Sequence, residues 1–124
     1  MKNVLLLIIV LVALVSCSKE NTSDVRIRLS NKSQYDFKDV SVGTSTVNLD
    51  YGNLKSGQKS DYKVFEVAYR YANVRLEADG DTLFLLASDF IDIPLENGNY
   101  IYELRVNPPN EFGKLTLELR FIDE

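Results

Sequence analysis

The stretch from Leu95 to Asn107 reads LENGNYIYELRVN, and its second half alternates between two kinds of side chain. One face of the extended chain would carry Tyr100, Tyr102, Leu104 and Val106, and the other Ile101, Glu103 and Arg105. A period of two residues is typical of a strand with one buried face and one wet face. Because proline cannot donate to a strand ladder, Pro108-Pro109 is expected to end this strand.

A second alternating segment follows within a few residues. Its apolar residues are Leu115, Leu117, Leu119 and Phe121, and Thr116, Glu118 and Arg120 lie between them. The short separation predicts that the two strands form a hairpin across Asn107 to Lys114.

The same periodicity extends upstream. The segments that carry it are Val25–Leu29, Val40–Val42, Val47–Leu49, Val74–Ala78 and Thr82–Leu86. Asp79-Gly80 separates the last two segments, and an Asp-Gly pair favours a tight hairpin turn because that turn needs positive φ. About seven short strands in roughly a hundred residues predict an all-β, antiparallel β-sandwich over residues 25–124.

One local motif refines this prediction. Leu95, Gly98 and Tyr100 resemble the tyrosine corner of immunoglobulin-like and fibronectin type III domains, in which the tyrosine hydroxyl bonds back to the preceding loop. The same L-x-x-G-x-Y pattern is similar to prealbumin-like domains, so the resemblance implies an immunoglobulin-like or prealbumin-like sandwich. The chain has no Trp and a single Cys, and it departs there from antibody domains.

The amino-terminal residues carry a targeting signal. Lys2 precedes an unbroken apolar run from Val4 to Val15, which is shorter than the roughly 20 residues of a transmembrane helix. The run ends in Leu14-Val15-Ser16-Cys17, which resembles the lipobox of bacterial lipoproteins. The resemblance implies that residues 1–16 are a signal peptide removed in the mature protein, and that Cys17 receives a diacylglycerol and further acyl chains such as palmitate. Residues 17–24 are then expected to form a flexible tether.

The resemblance also implies a location. In double-membrane bacteria an aspartate after the lipidated cysteine often marks inner-membrane retention, and this chain has Ser18 instead. We therefore expect a lipid-anchored protein of the cell envelope at the outer membrane, and the side on which the domain lies stays open.

Composition argues against several functions. The chain has 14 basic and 18 acidic residues, and it lacks the basic patch of a nucleic-acid-binding protein. It contains no histidine, and its one cysteine is assigned to the lipid, so the usual proton shuttles and thiol nucleophiles are missing. Two carboxylate pairs are candidates for glycoside hydrolysis. Asp79 and Asp81 flank the hairpin glycine and are better explained as turn formers, and Asp89 and Asp92 are better explained as residues of a loop or edge segment. A glycosidase cleft usually needs a larger scaffold than this domain. We expect no enzyme activity and no cofactor.

The sequence offers one candidate calcium site. Asp89, Asp92 and Glu96 lie close together in the sequence and supply the oxygen ligands that calcium prefers. Zinc is disfavoured because spare His and Cys side chains are missing.

A ligand-binding surface is indicated by the aromatic segment Tyr69-Arg70-Tyr71. Tyrosine is favoured in binding surfaces because it combines apolar area with a polar tip. The sequence therefore favours a non-enzymatic interaction or scaffold module with an envelope protein partner. The alternative is a cell-surface module that binds a glycan or small ligand through this Tyr/Arg face.

Overall fold

The computed structural model describes residues 24–44, 47–87 and 93–124. Eight strands lie in these three ranges, which contain no helix that could span a membrane. The strands are β1 Val25–Asn31, β2 Phe37–Gly43, β3 Asn48–Leu54, β4 Lys63–Phe65, β5 Asn73–Ala78, β6 Asp81–Leu85, β7 Gly98–Asn107 and β8 Thr116–Asp123. The predicted signal peptide, Cys17, most of the predicted tether, and Asp89 and Asp92 fall outside the described residues.

The strands form two four-stranded sheets, in the orders β4-β1-β7-β8 and β3-β2-β5-β6. This arrangement confirms the predicted all-β sandwich. In an immunoglobulin constant domain the second and third strands lie in different sheets, whereas here β2 and β3 pair in one sheet. The strand order is therefore inconsistent with the immunoglobulin-like resemblance. Of the two resemblances, only the prealbumin-like one remains. The β1–β7 pair is parallel, unlike the antiparallel pairing that the sequence predicted, because these strands are distant in the chain and no tight turn joins them.

The predicted hairpins are both present. Asp79 and Gly80 have φ values of 50° and 82°, and the flanking residues Ala78 and Asp81 pair across the turn. The β7–β8 ladder ends at the pair of Asn107 with Thr116, as expected from the prolines that follow.

The core lies between the sheets and is filled mainly by alternate residues of the strands. Its largest fully buried apolar side chains are Tyr102, Phe37, Phe65, Ile27, Leu29, Leu76 and Leu104. The predicted buried face of β7 is confirmed, but Ile101 on the supposedly wet face is only 8% exposed. It is covered because β7 is an internal strand, with Arg28 and Ile122 paired to Ile101 on its two sides.

The predicted tyrosine corner is confirmed. The Tyr100 hydroxyl donates to the carbonyl oxygen of Glu96 at 2.7 Å. This bond fixes the entry of the chain into β7 and satisfies the hydroxyl group of a largely buried ring.

Asn31 is a buried polar residue that no sequence pattern indicated. Its amide nitrogen donates to the carbonyl oxygens of Tyr35 and Leu54 at 2.7 and 3.0 Å. Its amide oxygen accepts from the backbone nitrogen and the hydroxyl group of Ser33. One side chain thus ties the end of β1 to the following turn and to the end of β3 in the other sheet.

Candidate functional site: two open sides of the sandwich

Each sheet ends in two edge strands, and these edges meet at two sides of the sandwich. We call one the β6–β8 side, because β6 and β8 contact each other across the sheets. We call the other the β3–β4 side, where one groove is lined by residues of β3, by β4 and by the segment before β4. An edge strand carries backbone N–H and C=O groups that no neighbouring strand of its own sheet satisfies, so both sides are candidate interaction surfaces.

The β6–β8 side has an apolar character. Exposed fractions are 61% for Tyr71, 61% for Phe84 and 75% for Leu86. Phe84 and Leu86 are two residues apart on β6 and just beyond it, so both point away from the half-buried Leu83 and Leu85. Alternation along this edge strand therefore places large apolar side chains in water, where they favour contact with a partner.

A depression of about 400 Å³ lies on this side. Its apolar lining is Tyr71, Leu85, Leu117 and Leu119, and its charged lining is Glu103, Arg105, Glu118 and Arg120. The charged residues face each other in the β7–β8 register as Glu103 with Arg120 and Arg105 with Glu118. Opposite charges in register balance each other, so the depression presents apolar surface with no net charge from these four groups.

The three residues of the predicted Tyr/Arg face, Tyr69, Arg70 and Tyr71, do not share one surface. The segment lies in the connection between β4 and β5 and is not a strand. Tyr69 is half-buried, and its carbonyl oxygen accepts a hydrogen bond from the Tyr102 hydroxyl. Arg70 lines a separate depression of about 250 Å³ with Leu95 and Glu96, whereas Tyr71 lines the β6–β8 depression.

The carboxylate candidates are distributed as follows. Asp79 and Asp81 are exposed at the β5–β6 turn, and Glu96 is exposed beside the Arg70 depression. Asp89 and Asp92 lie outside the described residues. Within residues 24–44, 47–87 and 93–124, no three acidic, His or Cys side chains converge in a way that would hold a metal ion.

The β3–β4 side carries a polar groove of about 440 Å³ that the sequence did not indicate. Tyr51 and Tyr62 line it together with Lys59 and Lys63. The spacing of Lys55, Lys59 and Lys63 around Tyr62 was a possible signal, but only the fold brings Tyr51 of β3 to the same place.

The pKa values of two groups of ionisable side chains are shifted on this side. Burial raises the pKa of the Tyr51 hydroxyl well above its ordinary value, and the nearby Tyr102 adds to the shift. The Tyr62 hydroxyl donates a hydrogen bond to the Glu124 carboxylate, which raises the pKa of Tyr62 and lowers that of Glu124. Arg28 also pairs with Glu124 and further lowers the pKa of the carboxyl group.

No protein-family model matches the chain, and no curated protein matches it. Among solved structures, the chain is similar to a protein from Eubacterium rectale whose structure was determined by NMR. The two share 14% sequence identity with a TM-score of 0.52, over 82% of this chain and 93% of the other. At this identity the likeness shows the small two-sheet β fold alone.

Proposed function

We propose that the protein is a lipid-anchored, non-enzymatic interaction module of the bacterial envelope, and that its β6–β8 side receives an extended apolar segment of a partner protein. The observation that carries the proposal is that β6 is the last strand of its sheet among the described residues, and that Phe84 and Leu86 are exposed on it and just beyond it. Strand addition uses the backbone groups of the edge for affinity and neighbouring side chains for specificity.

The β6 edge is the better acceptor on geometric grounds. A strand added beside β6 would place alternate side chains next to Phe84 on the outer face and over the β6–β8 depression on the inner face. The depression is lined there by Leu85, Leu117 and Leu119. The opposite side offers β4, which has only three residues, and β3, which has seven residues but pairs with β2 through register shifts. Such irregularities twist an edge away from a regular partner strand.

The position of β1 supports the anchoring part of the proposal. Cys17 precedes Asp24 by seven residues, which span at most about 25 Å when fully extended. Val25 starts β1 and pairs with Phe65 and Gly98, so the β4–β5 connection with Tyr71 lies at this same end of the sandwich. An anchor at Cys17 would keep Tyr71 and the start of the docking side near membrane-bound partners.

The test is a crosslinked pull-down of the tagged full-length protein from intact envelopes. We expect a specific protein partner to be captured by the wild type. Capture should be lost in the double variant Phe84→Thr/Leu86→Thr, which keeps strand propensity but removes apolar area. Val64→Thr is the matched control, because Val64 is also an exposed strand residue, at 54%, but lies on β4 at the other side.

The anchor is tested in the same experiment by Cys17→Ala and by the mass of the mature amino terminus. We expect a lipid-modified Cys17 as first residue, and weaker capture in the variant. Equal capture by the Phe84→Thr/Leu86→Thr protein would contradict docking at β6, and an unmodified terminus beyond Cys17 would contradict the anchor.

The alternative function, glycan or small-ligand binding through Tyr69-Arg70-Tyr71, is favoured by one observation. Tyr71 is 61% exposed, so its ring is accessible to a sugar face. If the wild type captures no protein partner, a glycan screen of the full-length protein with Tyr71→Ala as control becomes the decisive measurement. Binding that depends on Tyr71 would support this alternative.

A further inference from the structure

The groove of the β3–β4 side has no role in the docking proposal, and its construction points to a different kind of ligand. It lies between β3 and the segment that leads into β4. Its volume of about 440 Å³ falls within the usual range of small-molecule sites.

Two aromatic rings of the groove are held in place. The Tyr51 hydroxyl donates to the Ile27 carbonyl oxygen at 2.8 Å, and the Lys63 ammonium lies 5.7 Å from the Tyr51 ring centroid. The Tyr62 hydroxyl donates to Glu124, and the Arg28 guanidinium carbon lies 4.8 Å from the Tyr62 ring centroid. Both tyrosines are also partly exposed. Because these contacts already fix the rings, a ligand that packs on the ring surface they leave uncovered loses little side-chain entropy on binding.

The polar lining offers mainly donors. Asn53 and Gln58 use their amide oxygens to accept from the backbone nitrogens of Asp39 and Lys55, at 3.1 and 2.9 Å. Their NH₂ groups are then the parts left to meet a ligand. The Ser60 hydroxyl, in contrast, is engaged with backbone groups of Leu29 and Asp61.

The charge of the groove is also unlike that of the chain. The chain carries a formal charge of −4, but residues 55–63 contain three lysines against one aspartate. Lys59 and Lys63 line the groove with Asp61, and Glu124, which accepts from Tyr62 at the margin of the groove, lies near enough to Lys59 to interact with its charge. Two ammonium groups and two amide NH₂ groups around fixed aromatic rings match a ligand rich in acceptor oxygens with a negative charge.

We propose that this groove binds an acidic saccharide, one whose sugar rings pack on Tyr51 and Tyr62 and whose carboxylate or sulfate groups are met by Lys59 and Lys63. The site is separate from the docking side and does not depend on the partner proposal.

The test is isothermal titration of the purified full-length protein with trigalacturonate. We expect binding that weakens as salt rises, because charges at an exposed groove are screened. A neutral galactose trisaccharide should bind at least about tenfold more weakly. The double variant Lys59→Gln/Lys63→Gln should lose about tenfold in affinity for trigalacturonate, a difference of about 1.4 kcal/mol.

Lys114→Gln is the matched control, since Lys114 is exposed in the β7–β8 connection away from the groove. Tyr62→Ala separates ring packing from charge, and it should weaken trigalacturonate binding without changing the response to inorganic sulfate. Thermal melts of each variant exclude unfolding as the cause.

Several outcomes would overturn the proposal. These are equal binding of the neutral trisaccharide, unchanged affinity in the double lysine variant, or inorganic sulfate binding as tightly as trigalacturonate. The absence of heat at millimolar trigalacturonate would do the same. Loss of saccharide binding with partner capture intact would leave the docking proposal standing, because Phe84 and Leu86 lie on the other side.

Discussion

The two sides of the sandwich named above are both built from edge strands, but they differ in the polarity of the side chains that they expose to water. On the β3–β4 side the edge is short at β4, and Tyr51 and Asn31 tie their polar groups to backbone atoms of the neighbouring strands. On the β6–β8 side Tyr71, Phe84 and Leu86 expose apolar area instead. Natural sheets protect edges with short strands, lysines and polar groups. The side that departs from this rule is therefore the one to which we assign partner docking.

The largest effect that would test this comparison is expected at Asn31. Asn31→Ala removes four hydrogen bonds and leaves the buried carbonyl oxygen of Leu54 without this donor. We expect the free energy of unfolding to fall by about 2–3 kcal/mol, because unsatisfied buried polar groups carry most of the cost of such a deletion.

Urea denaturation of the variant and the wild type measures this difference. Asn53→Ala is the matched control, because Asn53 is exposed and holds one backbone nitrogen, so its loss should cost less than about 1 kcal/mol. Equal losses for the two variants would show that Asn31 does not hold the β3–β4 side together.

A smaller effect is expected when two tyrosine hydroxyls are compared across the sides. Tyr51→Phe removes a hydroxyl that donates to Ile27 inside the sandwich, and we expect a loss of about 1 kcal/mol. Tyr71→Phe alters an exposed ring and should change the free energy of unfolding by less than about 0.5 kcal/mol.

Denaturation midpoints at neutral pH distinguish the two tyrosine variants. If Tyr71→Phe lowered the free energy of unfolding more than Tyr51→Phe, the Tyr71 hydroxyl would be needed for the stability of the fold. The assignment of the β6–β8 side as a docking surface would then fail.

The features that the sequence predicted correctly are those encoded by residues close together in the chain. The Tyr100 hydroxyl reaches a carbonyl oxygen only four residues away, and the Asp79-Gly80 turn depends on its own backbone dihedrals. Alternation along β7 depends only on the period of an extended chain. Such signals are visible without knowledge of the fold.

The features that the sequence missed depend on which strands become neighbours. The burial of Ile101 follows from the internal position of β7, and the parallel β1–β7 pair joins residues more than seventy positions apart. Tyr51 and Tyr62 meet in one groove because β3 and β4 end different sheets on the same side. Local periodicity carries no information about strand order, so the groove and the two-sided comparison become visible only in the structure.

The smallest effect is a pH dependence at the cluster of Arg28, Tyr62 and Glu124. The hydrogen bond from Tyr62, followed by the contact with Arg28, lowers the pKa of Glu124 below its ordinary value. A carboxyl group with a lowered pKa in the folded state stabilises that state above the pKa of the unfolded chain, and this contribution is lost as the pH falls through the folded-state pKa. Glu124→Gln should therefore lower the urea midpoint slightly at pH 7 and leave it unchanged well below pH 4.

Tyr62→Phe provides the control, since it removes the donor that contributes most to the shift. We expect it to reduce the pH dependence attributed to Glu124, and added salt to reduce it further because the ion pair with Arg28 is partly exposed to solvent. A Glu124→Gln effect that persists at acidic pH would mean that the side chain acts by packing and not by charge.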